Sequence, residues 1–245
     1  MNSTSRRSFL QKTMTAGVMG LGFNVPLIGK NKKISLTRGD IILIQGDSIT
    51  DSGRNREELT FNSGKAFGNG YAMIAGSSLL LKHAEKDLKI YNRGISGNKV
   101  FQLAERWDTD CLGLKPTILS VLIGVNDFWH MKNGKYDGTI ETYKNDYRSL
   151  LKRTKTQLPD VKLILGEPFA VAGIKAVDET WFPAFQQYQQ AAKELAAEFD
   201  ATFIPFQRVF DEAMKSAPGV YWTHDGVHPS LAGCHLMAKA WLEAF

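Results

Sequence analysis

Cysteine is scarce: the chain has two in 245 residues. Two cysteines cannot build a disulfide framework, and Cys111 and Cys234 each sit in an apolar helical pattern that suits a buried free thiol. No apolar run reaches the ~18–20 residues that a membrane-spanning helix requires. Repeats and low-complexity tracts are also missing, which excludes a fibrous or disordered chain. The hydrophobic fraction of 43% and the charged fraction of 22% are those of an ordinary soluble domain.

An excess of charge is missing too, once its location is considered. The formal net charge is +5, but residues 1–30 carry four basic residues and no acidic one. Without them 26 basic residues face 25 acidic ones, a net charge of +1. A body so near neutrality has no electrostatic footprint for nucleic acid. The basic leader reads Ser5-Arg6-Arg7-Ser8-Phe9-Leu10-Gln11-Lys12, followed by a short, glycine-containing apolar stretch from Met14 to Ile28. A paired arginine before such a stretch resembles a twin-arginine export signal. Residues 1–30 are accordingly expected to be a signal peptide and 31–245 a single catalytic domain, exported to the periplasm or beyond.

In the body, short apolar runs alternate with longer amphipathic ones. Strands are expected at Asp40–Gln45, Leu88–Tyr91, Thr117–Ile123, Val161–Leu165 and Thr202–Ile204. Helices are expected at Asn69–Glu85, Val100–Trp107, Thr139–Thr156, Ala184–Phe199 and Leu231–Phe245. This alternation predicts an α/β fold, a three-layer α/β/α sandwich on about five parallel strands. The strands are unbroken apolar runs, as when both faces of a sheet are covered. Ligands in such sheets bind beyond the carboxyl ends of the strands, so chemistry is expected just after Gln45, Tyr91, Ile123 and Leu165.

Polar motifs stand at three of those places. Gly46-Asp47-Ser48-Ile49-Thr50 follows the first strand and presents a serine entering a turn; a helix-capping role is the plain structural alternative. Asn92-Arg93-Gly94-Ile95-Ser96-Gly97-Asn98 follows the second, with glycines that let backbone amides approach a ligand, or that simply turn the chain. Gly94-x-Ser96 also begins a Gly-x-Ser-x-Gly nucleophile elbow, but Asn98 leaves it incomplete. Gly124-Val125-Asn126-Asp127 follows the third strand, and Asn126 is either an N–H donor or a turn residue. Far downstream, Trp222-Thr223-His224-Asp225-Gly226-Val227-His228-Pro229 places a carboxylate three residues before an imidazole that it can orient. His224 and His228 have the spacing of zinc ligands on a helix. Gly226 and Pro229 disfavour a helix there, no third ligand group is visible, and no metal or other cofactor is expected.

Taken together, Gly-Asp-Ser, Asn-x-x-x-x-Gly, Gly-x-Asn-Asp and Asp-x-x-His resemble the four blocks of the SGNH (GDSL-like) hydrolase superfamily, over about residues 38–245. The resemblance implies a flavodoxin-like fold and a serine nucleophile at Ser48. It implies an oxyanion hole from the Ser48 amide, Gly97 and Asn126, and a base, His228, oriented by Asp225. Gly97 rather than Gly94 matches the block glycine, being five residues after Asn92. Val125 stands where many members have glycine. Finer motifs, among them Asp51-x-Gly53-Arg54, Gly68-Asn69-Gly70-Tyr71, Glu105-Arg106-Trp107 and Asn126-Asp127-x-Trp129, are similar to the acetyl-xylooligosaccharide esterases of this superfamily. Members of that branch deacetylate sugars, and some are oligomeric.

The resemblance thus implies a serine esterase acting on O-acyl, chiefly O-acetyl, esters of a small sugar or oligosaccharide, with a homo-oligomer conceivable. Asp47, Trp129 and Trp222 are the expected substrate contacts. Phe128 and Trp181 could likewise line a sugar site or belong to the core. Two alternatives stay open: a lysophospholipase or thioesterase using the same residues on an acyl chain, and a non-catalytic sugar-binding protein of the same fold.

Overall fold

The computed structural model describes residues 33–245; the leader with Arg6 and Arg7 lies outside the described residues. Five strands form one parallel sheet in the order β2-β1-β3-β4-β5. They are β1 (Ile41–Gly46), β2 (Lys89–Asn92), β3 (Ile118–Leu122), β4 (Lys162–Gly166) and β5 (Thr202–Ile204). The helices between them are α1 (Ser48–Asp51), α2 (Gly64–Phe67), α3 (Tyr71–Lys82), α4 (Val100–Glu105) and α5 (Trp107–Asp110). After β3 come α6 (Val125–Lys132), α7 (Ile140–Gln157), α8 (Ala184–Glu198), α9 (Phe206–Ala213), α10 (Gly219–Trp222) and α11 (Leu231–Leu242).

The central strands are apolar because both faces are covered. Ile42, Leu43 and Ile44 of β1 and every residue of β3 are buried. Burying each such aliphatic side chain stabilises the fold by roughly 1.5–3 kcal/mol. Helices α3, α9 and α11 pack together as one outer layer, and α4, α7 and α8 as the other. Two indoles inside the layers find partners: the Trp241 N–H donates to Ser120 Oγ over 2.9 Å, and that of Trp107 to Thr154 Oγ1 over 2.9 Å. Cys111 and Cys234 are buried free thiols, as their sequence context predicts.

All five expected strands form, each within a residue or two of its expected limits, and Thr202–Ile204 matches at both ends. The helix expected over Asn69–Glu85 is shorter, because the chain leaves helical geometry at His83 and tightens into a 3-10 turn. The helix expected over Val100–Trp107 breaks at Arg106, and Trp107 begins a separate turn. Helix α9 was not expected, although Phe206, Val209, Phe210 and Ala213 carry its buried face at helical spacing. Helix α6 was not expected either; Asn126 lies in its first turn and is not a loop residue.

The two edge strands are protected differently. β5 is three residues long, too short to template another strand. Along β2, Asn62 substitutes for a neighbouring strand. Its side-chain oxygen accepts from Ile90 N over 2.9 Å, its Nδ2 donates to Leu88 O over 2.8 Å, and its own amide donates to Ile90 O over 3.0 Å. Its φ of 56° is left-handed, a conformation asparagine tolerates better than most residues. Replacing Asn62 with Ala strips partners from Leu88 O and Ile90 N. It should lower unfolding free energy by about 2 kcal/mol, measured by urea denaturation; an unchanged midpoint would show that water takes over both bonds.

Candidate active site

The site begins where β1 runs out. Gly46 lies against β3 so closely that a Cβ there would come within 2.4 Å of Leu122 O and 2.5 Å of Thr50 Oγ1. No other residue allows the strand to turn into α1 at this point. Asp47 caps the helix, its Oδ1 accepting from Ile49 N over 3.0 Å, and Ser48 becomes the first helical residue at the sheet's carboxyl edge.

The Asp225–His228 segment reaches the same place from the far end of the chain. Thr223 and Pro229 pair as an antiparallel bridge, and the intervening residues form a tight loop. Gly226 closes it with φ +95°, and a Cβ there would collide with Val177 and with Val171 O. The loop is fastened from outside by Val171 N donating to Gly226 O over 2.8 Å and Ala176 N donating to Asp225 O over 3.1 Å. The helical spacing that two zinc-binding histidines would need is therefore not realised at His224 and His228. Among the described residues no group of three or more potential ligands could hold a metal ion.

Within this frame three side chains form a continuous chain. Ser48 Oγ lies 2.8 Å from His228 Nε2, and His228 Nδ1 lies 2.7 Å from Asp225 Oδ2. A carboxylate only accepts, so Nδ1 carries the hydrogen and Nε2 is left to accept from the serine. Asp225 Oδ1 also accepts from the amides of His228, over 2.8 Å, and Val227, over 3.0 Å. Burial pushes the Asp225 carboxyl up, but the His228 amide and ring N–H and the Val227 amide outweigh it and hold it below its ordinary range. The carboxylate is thus ionised beside the imidazole.

The expected oxyanion donors keep hydrogens to spare. Gly97 has φ +82°, with open space where a Cβ would stand. Among the described residues, neither its amide nor that of Ser48 donates to another protein group. Asn126 is 4% exposed and spends one Nδ2 hydrogen on Asn98 O, at 3.2 Å, which fixes its amide and leaves the other hydrogen available. In the sequence Asn98 only interrupts the elbow; in the fold its carbonyl orients the Asn126 amide. A cavity of about 470 Å³ opens onto Ser48 and His228, walled by Ile49, Asn69, His224 and Leu231 among others. That volume is within the range of small-ligand sites.

The expected substrate contacts fare unevenly. Trp129 is half-buried, and its ring centroid lies 6.4 Å from that of His228, so it flanks the base. Trp222 is 9% exposed and donates its indole N–H to Ala217 O over 3.1 Å; it supports the loop from beneath and does not flank the cleft. Asp47 is 1% exposed and cannot reach a ligand; its work is capping α1. Burial pushes its carboxyl up to about 7 against the opposing Ile49 amide and His228 charge, and burial does the same to Asp127. Phe128 and Trp181 are core residues, packed with ring centroids 5.2 Å apart. Ser96, the serine of the incomplete elbow, is hydrogen-bonded to Asp51 and meets no histidine.

Comparison with known proteins agrees with this arrangement. Residues 44–236 match the model of the GDSL-like Lipase/Acylhydrolase family. An acetylxylan esterase of Geobacillus stearothermophilus is 35% identical over 210 residues, covering 84% of this chain and 93% of that protein. A crystal structure of that organism's acetylxylan esterase superposes with a TM-score of 0.78 at 32% identity, over 86% of this chain and 96% of that one. Solved variants of it described as catalytic mutants alter a serine, an aspartate, and a histidine three residues beyond that aspartate. A GDSL-like lipase of Parabacteroides merdae superposes with a TM-score of 0.85 at 50% identity, over 87% of this chain and 98% of that one. A family match across most of the fold, on a chain whose serine, histidine and aspartate are in contact, means that this protein belongs to the GDSL-like lipase/acylhydrolase family and is a carboxylic ester hydrolase.

Proposed function

We propose that the chain is a serine esterase that removes O-acetyl groups from carbohydrates through an acyl-enzyme on Ser48. The observation that carries this reading is the unbroken contact from Ser48 Oγ through His228 to Asp225, beside two unoccupied backbone amides. His228 Nε2 takes the Ser48 proton as the oxygen attacks the ester carbonyl carbon. The carbonyl oxygen becomes an oxyanion facing the Ser48 and Gly97 amides and Asn126 Nδ2, each donor contributing roughly 10²–10³ in rate. His228 returns its proton to the departing sugar hydroxyl, leaving an acetyl group on Ser48. Water, deprotonated by His228, then attacks the acyl carbon, acetate departs, and Ser48 regains its proton. The sugar assignment draws support from the Geobacillus relatives, an acetylxylan esterase and an acetyl-xylooligosaccharide esterase, and from Trp129 beside the base.

Ser48→Ala should abolish hydrolysis of p-nitrophenyl acetate without changing the thermal melt, and an organophosphonate should label Ser48 alone. Peptide mapping that finds the label on Ser96 would sink the assignment. His228→Ala should be as damaging, and Asp225→Asn less so because the base remains. A pH dependence follows from the Asp225 charge. Asp225 is held below its ordinary range, so the charge that orients the ring is present at neutral pH and lost only in strong acid. Asp225→Asn should therefore lower kcat/KM by a similar factor from weakly acidic to neutral pH, because the charge it removes is present throughout; a deficit that disappears on mild acidification would contradict it.

For the substrate, Trp129→Ala should raise KM for acetylated xylo-oligosaccharides about 5- to 30-fold, from an apolar contact contributing ~1–2 kcal/mol. KM for p-nitrophenyl acetate, which lacks a sugar, should hardly move. Equal losses on both would make Trp129 structural, and preference for octanoyl over acetyl esters would favour a lipid or thioester substrate.

The paired arginines of the leader support export as a folded protein. Replacing both Arg6 and Arg7 by Lys should leave the precursor in the cytoplasm, as followed by fractionation; continued export of that variant would remove the twin-arginine assignment.

A further inference from the structure

Ser96 and Asp51 both lie outside the mechanism, yet they are joined at its centre. The Ser96 amide and hydroxyl each donate to Asp51 Oδ2 over 2.8 Å, and the Arg56 guanidinium donates to the same oxygen. The Asp51 side chain is 1% exposed. Burial alone would raise its carboxyl, but Arg56 and the two Ser96 donors hold it below its ordinary range.

Each end of this bond belongs to one half of the catalytic apparatus. Asp51 closes the helical turn that Ser48 opens, its amide donating to Asp47 O over 2.8 Å. Ser96 directly precedes Gly97, so the Ser96–Gly97 peptide, whose N–H the proposed mechanism assigns to the oxyanion, is held from its amino side. The two segments touch: a Cβ on Gly94 would lie 2.5 Å from Asp51 N. Two further guanidiniums hold the same loop, Arg54 Nε donating to Gly94 O over 2.7 Å and Arg106 to Arg93 O and Asn98 Oδ1, each over 2.9 Å. The start of the loop is joined to the Ser48 turn as well, Asn92 Nδ2 donating to Thr50 O over 2.7 Å and Ile95 N to Gly46 O over 3.0 Å. The Asp51 bonds are the ones that reach from that turn to the residue next to Gly97.

We infer that Asp51 is a positioning residue that sets the Gly97 amide against Ser48 through Ser96, so that the incomplete elbow serves as an anchor for the oxyanion hole. This rests on the esterase reading above. Bonds to an ionised acceptor are shorter and roughly twice as strong as neutral ones, which suits a donor that must not drift. A displacement of about 1 Å at such a site can cost on the order of 10²-fold in rate.

The test uses the full chain and p-nitrophenyl acetate, with an alkyl boronate that forms a tetrahedral adduct on the serine. Asp51→Ala should lower kcat about 10²-fold with KM within about twofold, and boronate affinity should fall in step with kcat. Asp51→Asn, which keeps an acceptor for the Ser96 amide, should recover most of the loss. A merely structural role would lower the melting temperature without this separation of kcat from KM. A folded Asp51→Ala protein with parental kcat, or one that loses kcat but keeps boronate affinity, would overturn the proposal. If Asp51→Ala does not fold, the double variant Asp51→Asn with Ser96→Ala decides. It leaves one uncharged bond and should weaken boronate binding about 10-fold, by the same positional sensitivity; parental affinity there overturns the proposal. Activity that survives Ser48→Ala would remove the esterase reading, whatever the Asp51 variants do.

Discussion

The site depends on how closely β1 and β3 run at their carboxyl ends. Gly46 and Leu122 are register partners, and the absence of a side chain on Gly46 lets both strands end in the same plane. The strand order reverses direction between β1 and β3: β2 lies on one side of β1, and β3, β4 and β5 continue on the other. A crevice opens at such a switch point because the connections leave to opposite faces of the sheet. Ser48 stands two residues beyond Gly46 and Asn126 four beyond Leu122. Ser48 and Asn126 are therefore set at the same edge of the sheet without any long loop to place them. His228 needs no strand of its own. It arrives 180 residues later on a loop fastened at both ends to secondary structure.

Electrostatics around Ser48 are the second consequence of that crowding. Four carboxyls lie near Ser48, and burial treats them in two ways. Asp225 and Asp51 gather several N–H and O–H donors and stay ionised. Asp47 and Asp127 have one donor each for their side chains, Ile49 N and Val100 N, and each leaves its Oδ2 unpartnered. Both are pushed up to about 7, so near neutrality each is protonated for a large share of the time. Under the proposed mechanism the difference has a use: a full negative charge on Asp47, adjacent in sequence to Ser48, would oppose an oxyanion formed there. Asp225 lies on the far side of the imidazole, where its charge opposes nothing and stabilises the protonated ring.

Most of the frame was legible because it is written in local terms. An unbroken apolar run between turn residues has few readings, and all five strands came out close to their observed limits. The motif residues at the strand ends were legible for the same reason, since a parallel sheet puts its strand termini on one edge. What escaped depends on where side chains point after the layers have packed. Trp222 sits three residues before Asp225, which suggested a shared cleft, yet the bridge between Thr223 and Pro229 turns its indole down toward Ala217. Asp47 adjoins the nucleophile, yet capping the very helix that exposes Ser48 draws its carboxylate inside.

Ser96 shows the same limit from the other direction. Its text, Gly94-x-Ser96, suggested a second nucleophile, and pattern alone could dismiss it only because Asn98 fails the motif. The structure supplies the physical reason. A serine nucleophile needs an adjacent general base free to take its proton. Asp51 accepts the Ser96 hydroxyl while already bound to Arg56 and the Ser96 amide, which lowers its basicity below that of an ordinary carboxylate. The loop that carries Ser96 is also pinned at Gly94 and Asn98, so the serine cannot approach His228 without breaking the contacts that set Gly97. Two serines thus follow adjacent strands of one sheet with opposite fates. What separates them is the basicity of the acceptor each one meets, a property of the assembled fold that neither motif records.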